Sequence, residues 1–216
     1  MSERGLQLTE RDYQVIRLVY RFRFCLGRHI KTLAPFSGAR ATDRRIKALL
    51  EAGYLERTKY LYGVPYLYTV THKGRMLIGA NKRADTIRVE RIHHDICLLD
   101  CAVFFVCRHG VTLGDIVTEK ELHARDGFGT RRHYPDFVLL KNGKKIAVEI
   151  ELTLKSKERI YKNGQDNFMA YDSQIWILQK DSGKLQNTIE QMKKEYPNIE
   201  ILALEGVIEA VSEFYK

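Results

Sequence analysis

The strongest constraint on the fold of this chain is a dipeptide, Asn142-Gly143, set between two β-prone runs. A two-residue hairpin turn of the favoured type needs positive φ at both central positions, and Asn-Gly supplies it. With those two residues at the turn, Lys141 faces Lys144, and counting outward sets Asp136 opposite Glu149. Opposed residues share a face of the sheet. One face therefore reads Phe137, Leu139, Ile146, Val148 and Ile150, and the other Asp136, Val138, Ala147, Glu149 and Glu151.

Three carboxylates thus gather at one end of one face. Like charges placed directly opposite each other destabilise a sheet, so the arrangement calls for a cation, a proton or a nearby lysine. A divalent metal answers that call, and Mg²⁺ or Mn²⁺ prefers carboxylate oxygens and water. Held by Asp136 and Glu149, such an ion would activate water and stabilise the charge that builds on a phosphodiester being cut.

The pattern Pro135-Asp136, a hairpin, Glu149-x-Glu151 and then Lys155 resembles the PD-(D/E)XK nuclease superfamily. The run VEIELTLKSKER, followed by an aromatic-containing helix, is similar to the replication-relaxation family of plasmid and mobile-element proteins. That family includes MobC-type mobilization relaxases and pairs a winged helix with a restriction-endonuclease-like domain. The resemblance implies Asp136 and Glu149 as metal ligands and Asp136, Glu149, Glu151 and Lys155 as the catalytic set. Glu151 stands where the superfamily pattern has lysine, so the resemblance assigns the lysine role to Lys155 or Lys157.

The first part of the chain reads differently. Thr9 followed by Asp12 is a helix-start signal of the capping-box kind. Val15, Ile16, Val19 and Tyr20 then recur at helical spacing. A second short helix is expected over about residues 26–33, closed by Pro35, and a third from about Thr42 to Ala52, ended by Gly53, with Ile46, Leu49 and Leu50 on its apolar face. A hairpin of residues 55–60 and 65–70 and a helix opening at Thr71 follow. Three helices and a hairpin in this order resemble the winged helix-turn-helix family, and the phrases AGYLER (residues 52–57) and THKGR (residues 71–75) are similar to wording in its bacterial members.

Charge adds a partner to this reading. Residues 1–83 hold 17 Lys and Arg against 6 Asp and Glu, a net of +11, whereas residues 84–216 carry −2. A basic segment favours a polyanion, because neutralising phosphates releases counterions. The third helix would present Thr42, Arg44, Arg45 and Lys47 to double-stranded DNA, with Arg57 and Lys59 of the hairpin touching an adjacent backbone or minor groove.

A buried apolar helix is expected between Thr86 and Arg108, after a linker at residues 81–88. Beyond the hairpin, residues 155–170 and 184–196 read as helices and residues 174–178 and 199–204 as strands. Glu119 and Glu121, in a first strand DIVTEKEL, would add a further carboxylate. The four cysteines show neither a CxxC pair nor zinc spacing and read as free thiols. No run reaches the roughly 18 apolar residues of a membrane span, and the polar opening MSERGLQLTERD is unlike a secretory signal. The P-loop, GxGxxG, GxSxG and HExxH patterns are absent.

The expectation is an α+β protein: a winged helix over residues 1–83, then a restriction-endonuclease-like mixed sheet flanked by helices over residues 84–216. It would be a cytoplasmic DNA nickase or endonuclease using Mg²⁺ or Mn²⁺, with no membrane partner. A homodimer and the transfer or replication proteins of a mobile element are the further partners. The alternative is a DNA-binding accessory or regulatory protein whose nuclease fold is degenerate.

Overall fold

The computed structural model describes residues 6–34, 36, 38–80, 85–126, 133–153, 155–180 and 183–215. It is an α+β protein with one three-stranded and one five-stranded sheet. The chain separates into two compact units, divided between Leu99 and Asp100 rather than near residue 83, with Tyr215 counted in the first. The division falls inside a continuous helix. Residues 81–84 of the linker expected at residues 81–88 lie outside the described residues.

In the first unit, α1 (Glu10–Arg21) begins at Thr9, whose backbone N–H and hydroxyl both donate to the Asp12 carboxylate at 2.6 and 2.8 Å. This is the capping box expected there. Strand β1 (Cys25–Leu26) leads into α2 (Gly27–Leu33), and α3 (Ala39–Glu51) starts three residues before Thr42. Strands β2 (Leu55–Thr58) and β3 (Leu67–Val70) pair antiparallel, with Leu55 opposite Val70, and β1 joins the other side of β3. The two sequence phrases of the resemblance lock together here. Thr71, N-cap of α4 (His72–Leu77), donates from its hydroxyl to the Gly53 carbonyl at 2.7 Å and accepts from the Gly74 N–H at 3.1 Å. A Cβ on Gly74 would sit 2.3 Å from the Tyr54 carbonyl oxygen, so only glycine lets α4 approach this closely. Lys73 completes the joint, donating to the Ala52 carbonyl at 2.8 Å and lying over the Tyr54 ring.

The dividing helix, α5 (Ile92–His109), is the apolar helix expected from the sequence. Its second half buries Cys101, Ala102, Val103 and Phe105, and the Phe105 ring meets Phe137 edge-on at 6.0 Å.

In the second unit, β4 (Ile116–Thr118) runs into α6 (Glu119–Asp126), and the hairpin follows as β5 (Phe137–Lys141) and β6 (Lys144–Glu151). Asn142 and Gly143 take φ of 52° and 75°, as the turn requires. The register is that read from the sequence, from Lys141 opposite Lys144 out to Phe137 opposite Val148. Then come α7 (Lys157–Ala170), β7 (Ser173–Leu178), α8 (Gly183–Glu195), β8 (Ile199–Ala203) and α9 (Leu204–Ser212). The sheet order is β4-β5-β6-β7-β8, antiparallel through β6 and parallel from β6 to β8. Each parallel step is bridged by a helix, as such a connection needs.

Helices α7 and α8 build a core of Ile160, Trp176, Leu178, Leu185, Ile189 and Met192. Register places Glu149 beside Trp176 and Glu151 beside Leu178, so the acidic residues share the sheet face of these core residues. A Cβ on Gly164 would come within 2.3 Å of Met192 Sδ, which records how tightly α7 meets α8. The stretch DIVTEKEL departs from its expected form. Thr118 ends the strand and caps α6, its N–H donating to Glu121 Oε2 at 2.8 Å. Glu119 lies 3.6 Å from His123 one turn on. The Glu119 N–H in turn donates to the Asp136 carbonyl at 3.1 Å.

Candidate functional site

Asp136 precedes β5, and Glu149 and Glu151 close β6 at the carboxyl end of the strand, the end at which open α/β sheets usually hold ligands. The Ile150 N–H, beyond the last paired residues of the hairpin, donates to Asp136 Oδ2 at 2.8 Å. That bond fixes the Asp136 carboxylate at the mouth of the hairpin. Glu149 and Glu151 are each 2% exposed.

Burial of two carboxylates side by side requires compensation, and the structure supplies it from residues that spacing alone did not reveal. His133 Nε2 lies 2.5 Å from Glu149 Oε1, and the Asn167 side-chain amide of α7 donates to the same oxygen at 2.7 Å. Asn167 Oδ1 is a buried acceptor without a partner, the sole such side-chain atom among the described residues. Lys155 reaches back to Glu151 Oε1. Lys157 turns to α8 instead, 3.4 Å from Gln191 Oε1, and stacks on Tyr161. Of the two lysines, Lys155 is the one beside the acids.

The electrostatics follow from this packing. Burial raises the Glu149 carboxyl above its usual range, more than His133 and Asn167 pull it down, and the nearby Asp136 charge pushes the same way. Burial pulls the His133 imidazole down, but the hydrogen bond and charge of Glu149, with Asp136 and Asp166 behind it, carry it above 6.5 on balance. The two groups thus hold a proton between them to a higher pH than an isolated histidine would.

His133 and Asn167 were not singled out from sequence, yet both had a signal. His133 stands three residues before Asp136, and Ile160, Asn163, Gly164 and Asn167 follow the spacing of a buried helix face. Two asparagines on such a face ask for polar partners in the sheet.

The oxygens of Asp136 and Glu149 fit Mg²⁺ or Mn²⁺ in kind, and the unpartnered Asn167 Oδ1 beside them is a further hard donor. The charge balance differs from the sequence expectation, because His133 and Lys155 already meet part of the need assigned there to a metal. Among the described residues no three His, Cys, Asp or Glu side chains are grouped as a ready-made metal cage.

The residues expected to face DNA divide into two sets. Arg44, Lys47, Arg57 and Lys59 are exposed. Thr42 is 1% exposed and donates its hydroxyl to the Gly38 carbonyl at 3.1 Å. It faces inward because Thr42, Ile46 and Leu49 recur at helical spacing on the buried face of α3. Arg45 grips the buried Asp12 through two guanidinium nitrogens and also donates to the Gln7 carbonyl at 2.6 Å. Thr42 and Arg45, expected to face outward, are instead packed inward, Arg45 joining α3 to Asp12 of α1. His94, beside Asp95 at 3.3 Å in α5, is a local pair. The four cysteines are free thiols, and burial pushes the Cys25 thiol far up.

No protein family, curated protein or solved structure matches this chain. No helix among the described residues is long and apolar enough to cross a membrane.

Proposed function

We propose that the chain is a DNA-binding protein of a mobile element that nicks or cuts DNA at the Asp136–Glu149–Glu151–Lys155 cluster. In this reading the first unit is a winged helix and the second a restriction-endonuclease-like domain. The observation that carries it is the pair of buried carboxylates Glu149 and Glu151 on one sheet face, with the Asp136 charge close enough to act on Glu149 and Lys155 in contact with Glu151. Mg²⁺ or Mn²⁺ held by Asp136 and Glu149 would supply Lewis-acid activation of water and of the scissile phosphate.

The chain's own groups have distinct tasks. The Ile150 N–H orients Asp136, and Asn167 with His133 fixes the Glu149 carboxylate through Oε1. Lys155 would place its ammonium against the phosphate, with Glu151 steadying it. Arg44, Lys47, Arg57 and Lys59 of the first unit would hold duplex phosphates.

One observation favours a second reading. His133 already answers the Glu149 charge, so the cluster is also stable as a purely structural element of a DNA-binding accessory protein. Incubation of the full chain with supercoiled plasmid and Mn²⁺ separates the two. Nicking abolished by Asp136→Ala supports the enzyme; failure of both Mg²⁺ and Mn²⁺ to support cleavage leaves the accessory protein.

A further inference from the structure

Ten large apolar or aromatic side chains are exposed among the described residues, and three of them, Tyr60, Tyr62 and Tyr66, fall in the eight residues that join β2 to β3. Their exposures are 38%, 101% and 47%. Clustered aromatics left in water at one tip mark an interaction surface rather than incidental exposure. The connection turns at Gly63, whose φ of 78° suits glycine and leaves Tyr62 at the apex. Cations stand beside the rings: Arg57 lies 5.0 Å over Tyr66, and Lys59 lies 5.9 Å from Tyr62. The one acid of β2, Glu56, accepts from Thr69 at 3.2 Å across the hairpin. The tip therefore offers flat π-faces interleaved with positive charge.

Paired bases in a duplex present edges and phosphates, not faces, so contact with duplex alone would leave these rings unused. Unpaired bases present their faces, and stacking on aromatics beside a basic backbone track is the general means of holding them. We infer that the β2–β3 tip is a stacking platform for unpaired bases of DNA, with Tyr62 and its neighbours Tyr60 and Tyr66 holding the bases and Arg57 and Lys59 the adjoining phosphates. This rests on the DNA-binding reading above and adds the state of the DNA that is recognised: locally opened rather than fully paired. An anionic membrane surface also accepts tyrosine beside lysine, but it would use the rings without regard to DNA pairing.

The test uses the full chain and three labelled oligonucleotides: a matched duplex, the same duplex with a central mismatched bubble, and the single strand. Anisotropy gives Kd at several salt concentrations, and a 2-aminopurine placed in the bubble reports stacking by loss of fluorescence. The bubble should bind more tightly than the matched duplex, with quenching. Tyr62→Ala should weaken bubble binding on the order of tenfold while leaving duplex binding and the salt dependence in place, and Tyr62→Phe should restore it. Arg57→Ala with Lys59→Ala should instead lower the salt dependence on every DNA. Equal affinity for bubble and duplex, equal loss on both in Tyr62→Ala, or Tyr62-dependent binding to phosphatidylserine–phosphatidylcholine vesicles without bubble preference overturns the platform. Duplex binding would still stand in those cases; absence of binding to all three DNAs overturns the DNA reading as well.

Discussion

Arg45 and Arg44 are neighbours with opposite duties, and their variants should separate cleanly. Asp12 is fully buried, so Arg45→Ala would strand its charge and cost roughly 3 kcal/mol of stability. Arg44→Ala, on an exposed side chain, should leave stability within about 0.5 kcal/mol and lower DNA affinity with a salt slope reduced by about 1. Thermal unfolding and anisotropy read the two effects. Asp12 also fixes the acid limit: burial raises its carboxyl, but Arg45 and Thr9 hold it below 3.8 on balance. Its contribution is therefore present above 3.8 and is lost as pH falls through the lowered folded value. His133 acts at the other end. Its folded pKa is raised above 6.5, so its contribution is full below 6.5 and disappears as pH rises through the folded value. Glu149, raised from 4.5, drifts in the same direction. In chelator, melting temperature should fall from pH 6 to pH 9, and His133→Gln should flatten that decline; a decline that persists in the variant rules the pair out as its source. At this scale the sequence was legible where alternation decides. The face carrying Glu149 and Glu151 follows from period two alone. Lys155, the partner of Glu151, is four residues on and was legible too, whereas the partners of Glu149 come from His133 and Asn167 of α7, and only tertiary packing selects them.

The elements show why some boundaries could be read and others not. Asn142-Gly143 fixed a register because the turn demands positive φ at two successive residues, and few pairs allow it. Thr9 and Asp12 marked the start of α1 for a comparable reason, a side chain answering an open N–H. The same device was present at Thr118 and Glu121, yet the branched residues before it favour a strand, and the carboxylates of α6 were placed in β geometry. The competing signal was the capping box T-x-x-E. Glu121→Ala should test this directly, destabilising by about 1 kcal/mol with no effect on DNA affinity. Residues 52–57 and 71–75 behave as one joint. Gly74→Ala should destabilise by about 3 kcal/mol, because a backbone carbonyl rather than a flexible side chain stands in the way. Calorimetry of the full chain checks both.

Across the whole molecule, the charge division is the property that bears most directly on the proposed DNA binding. Residues 1–83 carry +11 against −2 for the rest. With Arg44, Lys47, Arg57 and Lys59 each neutralising one phosphate, duplex affinity should fall with a log–log salt slope of roughly −3 to −4. A slope near zero in anisotropy titrations removes the phosphate-contact assignment. The strand order of the larger sheet has a consequence of another kind. Its five strands lie side by side in the order in which they are translated. No strand has to slip between two that are already joined, so each segment leaving the ribosome meets its permanent neighbour waiting at the growing edge. Assembly of the acidic face can thus proceed vectorially, with β6 laid down before the helix that brings Asn167 to it.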